Sequence, residues 1–175
     1  MHFPQCQVPA RKKQGRASLL FRRRDAEEWS APEIVAIPDA ADPADFQMYY
    51  LCANALPHGN FGLLGRYSVS AQSLGMEPVW SFDRRHWLRP CRAALGPDRE
   101  CPITAPAHHL AEAGEKLLLY YSRANYDHCF QTVGNVEPTV EIRVASIDRF
   151  RLFGRALHGE AILTPPDFQQ FQHRS

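Results

Sequence analysis

The chain has 175 residues, of which 45% are hydrophobic and 11% aromatic, so it is long enough to bury the core of one globular domain. Its 20 basic and 19 acidic side chains leave a formal net charge of +1, which provides no overall field for nucleic acid or a membrane surface. No stretch approaches the roughly 20 consecutive apolar residues of a transmembrane helix. We therefore expect no nucleic-acid partner and no membrane partner.

The proline and glycine content indicates the fold class, and the cysteine content indicates the cellular compartment. The 14 prolines and 10 glycines are spread along the chain and leave few segments for a long amphipathic helix, which favours strands and turns. The 5 cysteines are odd in number and form no Cys-x-x-Cys pair, so we predict neither a disulfide framework nor a zinc ribbon. We expect a reducing, cytoplasmic location, unless a missing N-terminus carried a signal peptide.

In chain order, the first feature is a basic N-terminal region. Residues 1–14 are predicted to be irregular. Arg22, Arg23 and Arg24 follow as a charge run, which is typical of a solvated edge strand that resists sheet-to-sheet pairing. The alternative for this run is contact with a carboxylate or a phosphorylated sugar. A nucleic-acid-binding arm over residues 11–24 is a further alternative that the near-zero net charge disfavours.

Two Asp-x-x-x-Trp units mark predicted turns. Asp25 and Trp29 belong to "LFRRRDAEEWSAP", and Asp83 and Trp87 belong to "PVWSFDRRHWLRP", 58 residues later. Internal repeats near this length are typical of stacked or radial β units. We predict that both aspartates cap turns and that both tryptophans pack between neighbouring sheets. A degenerate third copy, "EIRVASIDRFRLF", begins at Glu141.

Strand-like runs that end in a tyrosine pair alternate with these units. Tyr49 and Tyr50 lie in "DFQMYYLCA", and Tyr120 and Tyr121 lie in "KLLLYYSRA", 71 residues later. Because successive side chains of a strand point to opposite faces, we expect one tyrosine of each pair in the core. Each turn unit with its tyrosine strand occupies roughly the span of one four-stranded propeller blade.

The order and spacing of these segments resemble the five-bladed β-propeller glycosidase group that contains glycoside hydrolase families 32, 43 and 68. The resemblance covers residues 15–168 and includes "VWSFDRRHWLRP", "KLLLYYSRANYDH" and "EIRVASIDRFRLFGRALHGEAILTPPDF". It implies an all-β fold, namely a partial five-bladed β-propeller of two to three four-stranded antiparallel blades, with a tail over residues 169–175. We expect the N-terminal blades of that group to be missing from this chain, which implies open sheet edges and self-association through them.

Candidate catalytic carboxylates lie near two predicted inner strands, "DPADFQMYY" and "ITAPAHHL". Glycosidic hydrolysis requires two carboxyl groups, about 5–5.5 Å apart for retention or about 6.5–9.5 Å apart for inversion. Asp45 enters the first strand, and Glu100 precedes the second in a Glu-Cys-Pro run that resembles the acid/base motif of family 32. We predict Asp45 and Glu100 as the catalytic pair. The alternatives are a turn cap for Asp45 and a solvated loop residue for Glu100.

Four further residues are candidates for contact with the substrate, namely Asp42, Tyr49, Tyr121 and His128. Tyrosine rings suit the C–H faces of sugars, and Asp42 has a turn-forming role as its alternative. In the resembling proteins a histidine at the place of His128 faces the channel. His108 and His109 lie near Cys101, but the spacing matches no zinc-ligand pattern. We expect no metal and no cofactor.

The sequence therefore predicts a glycoside-hydrolase-like propeller protein. It hydrolyses, or descends from enzymes that hydrolyse, O-glycosidic bonds of sugars or oligosaccharides through a pair of carboxyl groups. The alternative is a non-catalytic carbohydrate-binding or interaction module, because two to three blades do not complete the central channel of a five-bladed ring.

Overall fold

The computed structural model describes residues 5–10, 13–22, 28–92, 95–107, 109–129 and 137–149, together with Leu152. These residues contain strands, turns and bends and no helix, so the predicted all-β class is confirmed. Ten strands lie in them: β1 (Gln5–Ala10), β2 (Lys13–Leu20), β3 (Glu33–Ala36), β4 (Phe46–Leu56), β5 (Gly59–Ser68), β6 (Ser73–Ser81), β7 (Ile103–Pro106), β8 (Ala111–Ala113), β9 (Lys116–Ala124) and β10 (Val140–Asp148).

The strands form two sheets. A small antiparallel sheet has the order β1-β2-β3, and the larger sheet has the order β10-β9-β7-β6-β5-β4, with β8 paired to β9. Within the larger sheet, β4-β5-β6 and β7-β9-β10 are antiparallel meanders, joined by one parallel pair between Leu74 and Ile103. In the described part of the chain neither sheet closes into a ring. The number of propeller blades stays a prediction.

Two apolar clusters account for the burial of the central strands. One cluster joins the two meanders and includes Phe61 and Trp80 of the first meander and Leu117 and Tyr121 of the second. The other cluster brings Leu20 of β2 against apolar side chains of β4, β5 and β6. Burial of each such side chain contributes about 1.5–3 kcal/mol. Because both faces of the first meander are covered, nearly every residue of β6 is buried.

The turn after β6 has the structure predicted for Asp83. Its Oδ1 accepts the backbone N–H groups of Arg85 and His86, each at 2.8 Å. Arg84 lies between Asp83 and Arg85 in the chain and has a φ of 65°, in the left-handed region that tight turns use. Trp87 then packs against the apolar cluster that contains Leu20. The predictions for Asp83 and Trp87 are therefore confirmed.

The first Asp-x-x-x-Trp unit differs from the second. The side chain of Trp29 is 61% exposed, so the prediction that it packs between sheets is wrong. The physical reason is its position before β3, which is the outer strand of the small sheet and has no second sheet beyond it in the described residues. Asp25 of this unit and Phe150 of the third copy lie outside the described residues.

Candidate ligand-binding site

Three segments meet at one end of the larger sheet. β4 begins at this end, β5 ends there, and the chain leaves β9 there toward His128. The backbone N–H of His128 donates to the carbonyl of Gln72, in the turn between β5 and β6, at 2.9 Å. This bond fixes the segment after β9 against the β5–β6 turn, and the candidate site is built here.

We define the tyrosine–histidine cluster as Tyr49, Tyr67, His128, Arg16 and Gln72. A hydrogen bond of 2.5 Å joins the hydroxyl of Tyr49 to Nε2 of His128. The ring centroids of Tyr67 and His128 are 4.8 Å apart, and those of Tyr49 and Tyr67 are 5.6 Å apart. The guanidinium carbon of Arg16 lies 4.5 Å from the Tyr49 centroid, within the range of a cation–π contact. The Tyr67 hydroxyl donates to Oε1 of Gln72 at 2.8 Å.

A β-bulge orients Tyr49 toward this cluster. The register between β4 and β5 shifts by one residue, which leaves Tyr49 and Tyr50 together opposite Gly65. The Tyr50 ring covers Gly65, where a Cβ would lie 2.8 Å from the nearest ring carbons. Tyr49 contacts Tyr67, which lies two residues beyond Gly65 on the same face of β5. Both tyrosines therefore point to one face, and the prediction that this pair alternates is wrong.

Burial separates the packed centre of the cluster from its accessible groups. Tyr67 is 6% exposed, and loss of hydration is the main cause that raises the pKa of its hydroxyl. Tyr49, His128, Arg16 and Gln72 are partly exposed. Either partner of the Tyr49–His128 hydrogen bond donates, depending on the histidine tautomer. Polar groups of the cluster are therefore accessible to solvent, while its aromatic rings pack against one another.

Asp45 lies in the turn before β4, beside the cluster. Its Oδ2 accepts hydrogen bonds from Ser70 Oγ at 2.5 Å, Ser68 Oγ at 2.7 Å and the Ser70 N–H at 3.2 Å. These bonds, with Ser70 as the largest cause, hold the pKa of Asp45 at about 2. The carboxylate fixes the β5–β6 turn that carries Gln72, which is the behaviour of a turn cap.

Asp42 lies in a buried ion network. Arg89 donates to both of its carboxylate oxygens at 2.7 Å and also donates from Nε to Glu77 at 2.7 Å. Arg66 donates to Glu77 at 2.8 Å. The side chains of Asp42 and Glu77 are 1% and 0% exposed. This placement keeps the Asp42 oxygens inside the network and away from a ligand in solvent.

The sequence did not predict three members of this network, namely Glu77, Arg66 and Arg89. One signal was available, because Glu77 is the only charged residue of the otherwise apolar or small strand β6. A carboxylate in a buried strand requires a cationic partner, since an unpaired buried charge is very costly. The guanidinium carbons of Arg66 and Arg89 also lie 4.7 and 5.3 Å from the Phe46 centroid, within the range of cation–π contacts.

Glu100 and Tyr121 are not members of the cluster. Glu100 is exposed in a turn where Oδ1 of Asp98 accepts its backbone N–H at 3.0 Å. Tyr121 is 4% exposed and belongs to the apolar cluster between the meanders, and burial raises the pKa of its hydroxyl. Tyr120 is 43% exposed, so this second tyrosine pair alternates as predicted.

Of the predicted site residues, the structure brings Tyr49 and His128 together and places Asp45 beside them. In the described part of the chain, no group of three or more His, Cys, Asp or Glu side chains is arranged to hold a metal ion, and His108 lies outside that part. No helix among the same residues has the length and apolar character of a membrane span. Comparison with models of known protein families and with curated proteins gave no match.

Proposed function

We propose that this chain binds a sugar or oligosaccharide at the tyrosine–histidine cluster, as a propeller-like protein without a complete acid/base pair. The observation that carries the proposal is the hydrogen bond between Tyr49 and His128. These residues are separated by 79 positions, and each was a candidate for sugar contact on separate grounds. The resemblance of the sequence to propeller glycosidases supports a carbohydrate as the ligand class.

The cluster offers the groups that a carbohydrate requires. Sugar hydroxyls both donate and accept hydrogen bonds, and sugar C–H faces pack on aromatic rings. The Tyr49 hydroxyl, the His128 ring and the Gln72 amide supply donors and acceptors, and Arg16 supplies donors only. Because ring contacts already hold these side chains in place, little side-chain freedom is lost when a ligand binds.

The positions of the carboxylates favour binding over hydrolysis. Asp42 is enclosed by arginines, and Asp45 is engaged by two serines. A general acid for glycosidic cleavage needs a raised pKa, whereas the pKa of Asp45 is lowered to about 2. Glu100 is exposed to solvent in its turn. The non-catalytic alternative is therefore our main proposal.

Calorimetric titration with neutral oligosaccharides tests the binding proposal. We expect saturable binding by the unmodified chain. Tyr49→Phe keeps the ring and removes the hydroxyl, and it should weaken binding about threefold to tenfold, as expected for one lost hydrogen bond. His128→Gln should act in the same direction. Tyr120→Phe is the matched control, because Tyr120 is exposed and outside the cluster. Equal affinity of all these proteins, or no binding by any, contradicts the proposal.

Hydrolysis of an O-glycosidic bond by Asp45 and Glu100 is the second candidate function. One observation favours it: Asp45 is ionised above about pH 2, as a nucleophile or general base must be, and it lies beside the cluster. Release of reducing sugar by the chain, compared with Asp45→Asn and Glu100→Gln, tests this function. Loss of activity in both variants would support the pair, and undiminished activity in both would exclude it.

A further inference from the structure

A pocket lies at the far end of β4 and β5 from the tyrosine–histidine cluster. Its volume is about 330 Å³, within the range of small-molecule sites. Leu56, Leu117 and Ala53 supply apolar lining. The polar side chains that line the pocket are those of Asn54, Asn60, Arg84, His109 and Glu112. We call this cavity the Arg84 pocket.

Arg84 is held at the pocket by the turn after β6. Its backbone N–H donates to Ser81 Oγ at 2.7 Å, and its Nε donates to Oδ1 of Asn60 at 2.8 Å. Asn60 is 6% exposed and is itself fixed, because its Nδ2 donates to the Ser81 carbonyl at 3.0 Å. Within the described part of the chain, the two terminal nitrogens of Arg84 have no hydrogen-bond or ion-pair partner. The side chain is therefore oriented through Nε while its two outer donors are available.

Two further residues give the pocket a mixed polarity. Asn54 is 7% exposed, and its Oδ1 accepts the N–H of Leu110 at 2.8 Å, which leaves the Nδ2 donor for a ligand. Glu112 provides acceptor oxygens on a side chain that is 66% exposed, and Arg149 lies 3.9 Å away from it. Arg149 offsets part of the Glu112 charge, and among the described residues that line the pocket Arg84 is the one arginine or lysine.

We propose that the Arg84 pocket binds a hydroxy acid the size of a monosaccharide, such as a uronic acid, through the carboxylate of that ligand. The two terminal nitrogens of a guanidinium match the two oxygens of a carboxylate in a bidentate pair. Asn54 adds a neutral donor, Glu112 accepts from a ligand hydroxyl, and the apolar lining packs against ring C–H groups. This site is separate from the tyrosine–histidine cluster, so its occupancy does not depend on sugar binding there.

Titration with glucuronate and with glucose, followed by NMR of side-chain amides, tests this proposal. Glucuronate should shift the Asn54 and Asn60 amide signals in a saturable way, and glucose should bind at least tenfold more weakly because it lacks the carboxylate. Added salt should weaken glucuronate binding. Glucose binding as tight as glucuronate binding would overturn the proposal, and so would no change in either amide signal. This comparison needs no variant.

Two variants locate the charge that is responsible. Arg84→Gly removes the guanidinium and keeps a residue that adopts the left-handed φ of this turn, so glucuronate binding should weaken about tenfold or more. Arg85→Gln is the matched control, because Arg85 pairs with Glu33 outside the pocket. Unchanged glucuronate affinity in folded Arg84→Gly would overturn the proposal, and so would equal weakening in the two variants.

Discussion

Glu77 has no exposed surface, and its charge is balanced by Arg66 and Arg89. Replacing Arg89 by methionine leaves a buried carboxylate without its main partner. We expect the free energy of unfolding to fall by about 3–5 kcal/mol, as measured by urea denaturation. Arg143→Gln serves as the control, because Arg143 forms an exposed pair with Glu141 and its loss should barely move the midpoint. Equal stability of the two variants would contradict this account of the network.

We expect the protein to lose stability in acid, because two of its aspartates have lowered pKa values. Asp45 has its pKa lowered to about 2, chiefly by the Ser70 and then the Ser68 hydroxyl, and Asp39 has its pKa lowered to about 2, chiefly by Arg92. A folded pKa below the unfolded value of 3.8 means that each group stabilises the protein above the unfolded pKa. That stability is lost as the pH falls from about 5 toward 2.

Urea unfolding between pH 6 and pH 2 measures this effect. The midpoint of the unmodified chain should decline on the acid side, and the decline should be shallower in Asp45→Asn, which has no carboxyl group to protonate at that position. Asp148→Asn is the comparison, because it removes a carboxyl group at the end of β10, away from the β5–β6 turn. A steeper or unchanged decline in Asp45→Asn would contradict the role given to the serine contacts.

How far single residues could be predicted depended on how far away their partners lie in the chain. The cap at Asp83 was predictable, because its acceptor oxygen serves N–H groups only two and three residues later. The environment of Asp42 was not, because its main partner, Arg89, lies 47 positions away, beyond three strands and the turns that follow them. A turn-rich segment suggests surface exposure, and nothing in its local sequence indicates that three arginines surround one of its aspartates.

The β-bulge is the element that orients the candidate site. An alanine at Gly65 would bring its Cβ to 2.8 Å from the Tyr50 ring, so the ring must move. We expect Gly65→Ala to lower the free energy of unfolding by about 1–3 kcal/mol, as strain in a packed region does. Sugar binding should weaken with it, because Tyr49 is adjacent to Tyr50 in the bulge. Thermal unfolding and calorimetric titration measure the two effects.

Gly114 offers the control for this substitution. A Cβ at Gly114 has no atom within 4 Å, and its φ of 62° is a conformation that asparagine tolerates. Gly114→Asn should therefore change stability little. A Gly65→Ala protein as stable as Gly114→Asn would show that the Tyr50 ring is not constrained as described.

The strands that carry Tyr49 and Tyr121 were predictable from their runs of apolar and aromatic residues, and both are strands in the structure. The bulge was not predictable, because it depends on the pairing of β4 with β5 at Gly65 and leaves no mark on the β4 sequence. For the same reason the alternation rule holds for Tyr120 and Tyr121, where β9 pairs regularly with β10, and fails for Tyr49 and Tyr50. Register decides which face a side chain reaches.

For the whole molecule, sequence pattern predicted the all-β class but not the order in which the strands pair. The spacing of strands and turns follows from local signals, whereas ring closure depends on which strand meets which at the outer edges. In the described residues β10 is an outer strand of the larger sheet, and its Val140 and Ile142 are 54% and 73% exposed. An exposed apolar edge strand is a template for pairing with another chain.

We therefore expect self-association through this edge. Sedimentation of the chain at increasing concentration should show growing assemblies, and Ile142→Lys should reduce them by placing a charge on the edge. Tyr120→Lys is a comparison with a charge on β9, which is paired on both sides and offers no edge. A chain that is monomeric at every concentration, or one that associates equally with and without the lysine at position 142, would contradict this expectation.

We propose that a carbohydrate binds at the tyrosine–histidine cluster. The most direct measurement is an NMR titration of the chain, labelled on its tyrosine and histidine rings, with neutral oligosaccharides. We expect saturable shifts of the ring signals of Tyr49, Tyr67 and His128, while the Tyr120 signals stay in place. Cluster signals that do not move at saturating sugar, or that move no more than those of Tyr120, would contradict it.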